Sequence, residues 1–368
     1  MFPTNPEHPG ELIDRVQAAV AARTPLHIGG GRTKSFYGDA VQGEPLSTTG
    51  WSGIVSYEPT ELVVTVRAGT PLDELEAVLA ERGQCLAFEP PRFGAGGTVG
   101  GMVAAGLSGP ARASVGSVRD FVLGARFING RGELLTFGGQ VMKNVAGYDV
   151  SRVLAGSMGT LGVITEVSLK VLPVAPAEAT LVFALPQHDA LEQLHRWGGQ
   201  PLPLNASRWE APDRLHVRLR GAVAAVEAAC ERMARDAGGT RLDPAPAATE
   251  WTGCRDQRLP FFQPPSPELC LWRVSVPQTA PVLDLPWTPL IEWQGAQRWW
   301  WAPASAAEQI RTAAAEAKGH ATLFRAGSEG PMGVPCFDRV SPTLDTITQR
   351  LRAEFDPAGI FNPTPTLD

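Results

Sequence analysis

Apolar side chains at Leu12, Ile13, Val16 and Val20 recur every three to four residues across positions 11–22. That spacing predicts an amphipathic helix with one buried face, ended by Pro25. Leu26-His27-Ile28 reads as a short strand that runs into Gly29-Gly30-Gly31-Arg32-Thr33-Lys34-Ser35, where glycine lets the backbone turn sharply. The β-branched stretch 62–66 predicts a second strand, and Gly69-Thr70-Pro71 turns it into a helix, with Thr70 as N-cap and Pro71 at the first helical position. Leu72, Leu75, Val78 and Leu79 share a face of that helix, and Gly83 is placed to end it. From 90 to 109 small residues dominate, among them Gly94, Gly96, Gly97, Gly100, Gly101, Gly106 and Gly109. Residues 121–128 and 134–137 read as strands of a hairpin closed by Asn129-Gly130, and 162–172 alternate as a further strand until Pro173 stops it.

Beyond the Pro- and Ala-rich stretch 173–176 the pattern changes to Ala-rich helices, at 222–237 and 304–317, between strands at 215–219 and 269–276. The expectation is an α+β chain with a first domain over 1–175, a second α+β layer over 176–345, and a C-terminal segment, 346–368, folding back on the first domain. The chain has 368 residues, enough for two packed units. A formal net charge of −6 and the lack of a basic run argue against a nucleic-acid partner. Five scattered cysteines with no C-x-x-C pair read as reduced structural thiols rather than zinc or cluster ligands. The start, Met1-Phe2-Pro3-Thr4-Asn5-Pro6-Glu7, has no leader character, and no apolar run reaches a membrane span. A cytoplasmic protein is expected, with membrane contact only indirect, through partners.

Two nucleotide motifs are tempting and fail. Gly31 to Ser35 ends in Lys34-Ser35, but a phosphate loop of nucleoside triphosphatases needs glycine before the lysine, and Thr33 stands there. Gly94-Ala95-Gly96-Gly97-Thr98-Val99-Gly100 mimics a dinucleotide fingerprint, yet its third glycine falls one residue late and Phe88-Glu89-Pro90-Pro91 is no buried parallel strand. What remains is two glycine-rich stretches whose unhindered backbone N–H groups are suited to a pyrophosphate, or else to close packing.

Thr98-Val99-Gly100-Gly101, Gly116 with Arg119-Asp120, Lys143-Asn144-Val145-Ala146-Gly147-Tyr148-Asp149 and Gly156-Ser157-Met158-Gly159-Thr160-Leu161-Gly162-Val163-Ile164-Thr165 together resemble the FAD-binding domain of the vanillyl-alcohol-oxidase (PCMH-type) family. Length and the Gly-Arg-Thr-Lys-Ser-Phe-Tyr-Gly loop are most similar to its glycolate oxidase (glycolate dehydrogenase) E subunits. The resemblance implies a two-subdomain PCMH-type FAD-binding domain followed by a smaller α+β cap-like domain. It implies that Gly29, Gly30, Gly31, Arg32, Thr33 and Lys34 meet the FAD pyrophosphate, joined by Gly97, Thr98, Gly100 and Gly101 on the flavin side. Ser108 and Gly109 would run beside the isoalloxazine, and the backbone of Val163 and Ile164 would touch the adenine half. Three departures stand out. Ser114-Val115-Gly116 replaces the family's Arg-Tyr-Gly, and Thr364-Pro365 follows Phe355-Asp356-Pro357-Ala358-Gly359-Ile360-Phe361-Asn362-Pro363 where Gly-Arg is usual. No histidine or cysteine falls inside the flavin motifs after His27, so the implied FAD is noncovalent.

Oxidising a 2-hydroxy acid requires a base, cations for the carboxylate and a hydride path to flavin. The related catalytic D subunits carry a His-rich metal segment and a Gly-Glu-His-Gly motif, where this chain has Gly327-Ser328-Glu329-Gly330. Its six histidines show no ligand spacing; His188 and His195 read as surface or packing residues. The resemblance therefore implies an FAD-binding subunit working beside a catalytic flavoprotein D subunit and an iron–sulfur F subunit on a small 2-hydroxy acid, with no catalytic residue or metal site of its own assigned. A self-sufficient FAD-dependent dehydrogenase of a hydroxy acid or sugar, and a flavin-free scaffold, are the alternatives. The run Trp299-Trp300-Trp301 fits either core filling or a partner face.

Overall fold

The computed structural model describes residues 9–139, 149–338 and 341–363. Met1 to Glu7, the motif stretch 143–148 and Thr364-Pro365 lie outside the described residues. The first half contains α1 (Gly10–Ala22), β1 (Leu26–Gly29), β2 (Glu44–Ser47), β3 (Ile54–Glu58), β4 (Val63–Arg67), α2 (Leu72–Ala80) and β5 (Gln84–Cys85). It continues through α3 (Val99–Ala105), α4 (Arg112–Val115), α5 (Val118–Phe121), β6 (Val122–Ile128), β7 (Leu134–Gly138), α6 (Val150–Val153), β8 (Val163–Lys170) and β9 (Leu172–Pro173).

Two layers result. β3-β4-β8-β6-β7 form an antiparallel sheet, and its Val64, Val66 and Val167 share one core with Leu72 and Leu75 of α2 and Met102 and Val103 of α3. The parallel pair β1 and β2 forms a second, smaller layer with α1, and its Leu26 and Leu46 share a core with Val16. The predicted hairpin is present: the Asn129 side chain accepts from the amides of Arg131 and Glu133, both at 2.9 Å, and fixes the β6–β7 turn. The Thr70 cap is not. Pro71 occupies the N-cap of α2, while the Thr70 hydroxyl accepts from the Gly53 amide at 2.8 Å and ties the β3 entry to the α2 turn. A non-local partner has outcompeted the local one.

The second half contains β10 (Ala177–Ala184), α7 (Gln187–Gly198), β11 (Leu204–Glu210), β12 (Arg214–Gly221), α8 (Val223–Ala237), β13 (Thr240–Arg241) and α9 (Pro244–Arg255). β14 (Cys270–Ser275), β15 (Leu290–Glu292), β16 (Gln297–Ala302), α10 (Ala307–Glu316), β17 (His320–Arg325) and α11 (Pro342–Phe355) complete it. The strands make one eight-stranded sheet in the order β13-β10-β12-β11-β15-β16-β14-β17. Successive side chains alternate faces: Trp272, Val274 and Trp300 pack with Ile310 of α10, whereas Leu271, Trp299, Trp301 and Phe324 face Tyr37 and Leu107 of the first half. Trp299, Trp300 and Trp301 are thus core residues, 3%, 1% and 7% exposed, and the reading of that run as a partner face falls away.

Beyond α11 the chain returns to β1. Leu26 donates its amide to Ile360 O at 2.7 Å and accepts from Asn362 N at 2.9 Å. The Asn362 side chain accepts from Ile28 N at 2.7 Å and donates to Met158 O at 2.7 Å. This clamp fixes the strand that launches the first glycine loop.

Candidate functional site

The first loop leaves β1 at Gly29, and the second stretch enters α3 through Thr98, whose hydroxyl accepts from Gly101 N at 3.3 Å as an N-cap. The two are in contact. A Cβ on Gly30 would strike the Thr98 hydroxyl, one on Gly31 would strike the Gly96 carbonyl, and Thr33 Oγ1 lies 3.3 Å from where a Gly97 Cβ would stand. Only glycine permits this approach. Among the described residues no acceptor takes the amides of Gly30, Gly31, Arg32 and Thr33. A bend that presents several free N–H groups beside a second glycine stretch is chemically fitted to a diphosphate. Lys34 supplies a half-buried cation: burial pushes its ammonium down to about 8, with Asp256 pulling the other way, and its Nζ sits 5.8 Å from the Phe93 ring centroid.

Not every candidate glycine faces that bend. Gly100 donates its amide to Ala68 O at 2.8 Å, and a Cβ there would meet the Ala68 methyl at 2.7 Å, so this glycine lets α3 pack on the end of β4. Gly109 packs its Cα on the Glu89 backbone, and its carbonyl accepts from Trp293 Nε1 at 3.0 Å; Ser108 Oγ accepts from Val118 N at 3.0 Å. Val163 and Ile164 begin β8 with buried side chains, Val163 in the core of the β1 layer and Ile164 in that of the larger sheet. The structure therefore joins residues 30–33 with 96–98 directly and sets the others around them.

Two clefts flank the segment after α3. One, of about 280 Å³, is bordered by Tyr37, Gly106, Arg112, Arg119 and Met158. The other, of about 30 Å³, lies between Leu107, Ser108 and Gly109 on one side and Arg273, Glu292 and Trp299 of the second sheet on the other. Arg112 stacks 4.5 Å over the Trp293 ring, two residues before the Ser114-Val115 departure. Glu89 holds the two halves together. Its carboxylate accepts from Arg218 at 2.7 Å, from Arg220 at 3.1 Å and from the Ala111 amide at 3.1 Å. Burial acts to raise the Glu89 carboxyl, but Arg218 and Arg220 outweigh it and hold the group below its ordinary value.

Sequence reasoning missed Arg273 and Glu292. Glu292 is 4% exposed; it accepts from Cys254 Sγ at 3.0 Å, Gln297 Nε2 at 3.0 Å and Trp299 Nε1 at 2.5 Å. Burial nevertheless keeps its carboxyl above the ordinary range. The available signal was a charge inside an apolar strand, Arg273 between Trp272 and Val274. Among the described residues there is no cluster of three or more His, Cys, Asp or Glu able to hold a metal, and no helix long and apolar enough to cross a membrane. Gly327-Ser328-Glu329-Gly330 is a turn after β17.

A small sheet layer launching a glycine loop against a second glycine stretch, with a large sheet closing over it, defines a flavoprotein of the FAD-binding-domain class. Residues 4–138 match the family described as FAD binding domain. The chain belongs to the family of the glycolate oxidase subunit GlcE of Escherichia coli (strain K12), to which it is 45% identical over 352 residues, 96% of this chain and 95% of that protein. More distant relatives include a D-2-hydroxyglutarate dehydrogenase of Xanthomonas citri pv. viticola, 32% identical over 58% of this chain and 46% of that one. The glycolate oxidase subunit GlcD of Bacillus subtilis (strain 168) is 31% identical over 38% and 30%. Among solved structures, alkyldihydroxyacetonephosphate synthase superposes with a TM-score of 0.67 at 15% identity, covering 97% of this chain and 76% of that one, a likeness of fold.

Proposed function

We propose that this chain is the FAD-binding subunit of a glycolate dehydrogenase (glycolate oxidase) complex that converts glycolate to glyoxylate. The observation that carries the reading is the contact between the two glycine stretches, in a chain 45% identical to a glycolate oxidase subunit along nearly its whole length. Bound FAD supplies a two-electron acceptor able to pass electrons on. Residues 30–33 offer their amides to its diphosphate, Lys34 adds positive charge beside them, and Thr98 shapes the opposing bend. The Asn362 clamp holds β1 in place under the loop. Ser108 and Gly109 border the flavin ring, and the backbone of Val163 and Ile164 lies toward the adenine half.

The chain divides as 1–175, 176–345 and 346–368, with the second part a cap. Its partners are a catalytic flavoprotein D subunit and an iron–sulfur F subunit, which also provide any membrane contact. The flavin of this chain is accessory or relays electrons rather than serving the main substrate site. The test is to purify the chain alone and with its partner subunits, then measure FAD content and glycolate-dependent dye reduction. FAD in both preparations with turnover only in the complex supports the reading. Turnover by the isolated chain at the rate of the complex favours a self-sufficient dehydrogenase, and a colourless, FAD-free chain favours a scaffold.

A further inference from the structure

The larger cleft begins where both glycine bends lead. Tyr37 lies just past the first bend, Gly106 ends the helix α3 that starts behind the second, and both line the cleft, so a diphosphate held at 30–33 and 96–98 has the adjoining part of its nucleotide in this space. Among the described residues that line it, Phe337 alone comes from the second half of the chain. Its ring meets the Tyr37 ring edge to face, with centroids 5.4 Å apart and planes at 82°, and is 37% exposed. Gly38, at a φ of +97°, lies beneath: the Met158 methyl and the Phe337 ring stand 3.2 and 3.4 Å from where its Cβ would be. Phe337 belongs to a strap, residues 335–338, that lies along the edge strand β17. Cys336 O accepts from Leu323 N at 2.8 Å, Asp338 accepts from Ala321 N at 3.3 Å, and Arg311 of α10 donates to the carbonyls of Pro335 and Phe337. Toward the first half the ties are lighter: Cys336 donates its amide to Asp39 Oδ1 at 2.8 Å, and the Phe337 ring touches Tyr37 and Gly38. Releasing one charge-assisted hydrogen bond and one ring pair leaves an open state in about one molecule in a hundred or fewer.

We propose that Phe337 and the strap 335–338 gate the larger cleft: FAD enters and leaves when the strap lifts from Asp39 and Tyr37, and the seated ring retains it between exchanges. The inference rests on the proposed function in taking FAD as the occupant. One stretch, 29–39, carries the diphosphate bend at its start and the anchor of the strap at its end, so closure of the strap steadies the same segment that grips the cofactor. A gate differs from an ordinary contact in its kinetics. A barrier common to entry and exit slows both directions and leaves their ratio, the dissociation constant, nearly unchanged, whereas loss of a contact speeds exit alone. The hydrocarbon ring of Phe337 fits the first role, since it offers no hydrogen bond to a diphosphate or a sugar.

The test is stopped-flow mixing of the FAD-free full-length chain with FAD, read by quenching of flavin fluorescence, and dilution of the loaded chain to read release as fluorescence recovers. Phe337→Ala should raise the entry and release rates together, each at least about tenfold, with the dissociation constant within about threefold of wild type. Asp39→Ala, which keeps the ring but takes the acceptor from the Cys336 amide, should raise both rates in the same sense. Met332→Ala is the matched control, because Met332 is 65% exposed and does not border the cleft, and its rates should equal those of wild type. Faster release with unchanged entry makes Phe337 an ordinary contact and overturns the gate, as do unchanged rates in a folded Phe337→Ala chain that binds FAD. A wild-type chain that takes up no FAD overturns the flavin reading and the gate with it, so the two failures are distinct. If Phe337→Ala does not fold, the two rates of Asp39→Ala decide.

Discussion

Replacing Gly31 with alanine places one methyl group in the seam between the two glycine stretches. Built on the observed backbone, that Cβ overlaps the Gly96 carbonyl oxygen and stands 2.5 Å from its carbon and 3.2 Å from the Gly97 nitrogen. Optimal carbon–carbon separation is about 3.5–4.0 Å, so the carbon contact alone requires the bends to part by about 1–1.5 Å, and the overlapped oxygen requires more. Insertions of this kind cost about 1–3 kcal/mol. If that strain falls on the arrangement that grips the diphosphate, FAD binding weakens by about five- to a hundredfold, since 1.4 kcal/mol is about tenfold. The assay is titration of the FAD-free chain with FAD, read by quenching of flavin fluorescence, with thermal unfolding of the same samples as a control for global damage. Gly10→Ala is the matched control, because nothing lies within 4 Å of its Cβ. A Gly31→Ala chain that binds FAD as tightly as Gly10→Ala would refute the reasoning.

Glu89→Ala strands Arg218, 3% exposed, as a buried unpaired charge and should cost about 3–5 kcal/mol, read as a lowered urea midpoint. Because the folded Glu89 carboxyl lies below its ordinary 4.5, the stability it adds is complete above about pH 4.5 and drains away as pH falls toward the folded value. Urea curves for Glu89→Gln should accordingly lose less than wild type between pH 6 and 3.5, and parallel losses would count against the linkage. Asn362→Leu leaves the Ile28 amide and the Met158 carbonyl without partners at about 1–3 kcal/mol each, so both the unfolding temperature and FAD affinity should fall; an unchanged FAD affinity would mean that the clamp does not position the loop. Burial pushes the Cys336 thiol up to about 12, so alkylation by iodoacetamide at pH 8 should be negligible in the folded chain and rapid in urea, as peptide mapping will report.

Local chemistry was legible wherever the deciding partner lay close in sequence. Asn129-Gly130 specified its hairpin because both acceptor bonds of the Asn129 side chain close within four residues. The helices at 10–22 and 223–237 followed from spacing alone. Thr70 was misread as a cap because the winning partner, Gly53, is seventeen residues away. The small-residue run 94–109 looked uniform in sequence, yet Gly100 serves helix packing on Ala68 whereas Gly96 and Gly97 face the first loop, a division that only the β4–α3 contact creates. Tryptophans 299–301 resisted assignment because a strand covered on both faces has no polar alternation to read. Arg273 and Glu292 were hidden for a related reason: the strand order β15-β16-β14 brings them to one cleft wall, and no local motif encodes that order.

A crystal structure of the chain grown with FAD is the most direct check. The diphosphate oxygens should accept hydrogen bonds from amides in 30–33 and from the 96–98 bend at once, with the ring system beside Ser108 and Gly109. FAD ordered elsewhere, or touching one bend while the other stands apart, would contradict the assignment.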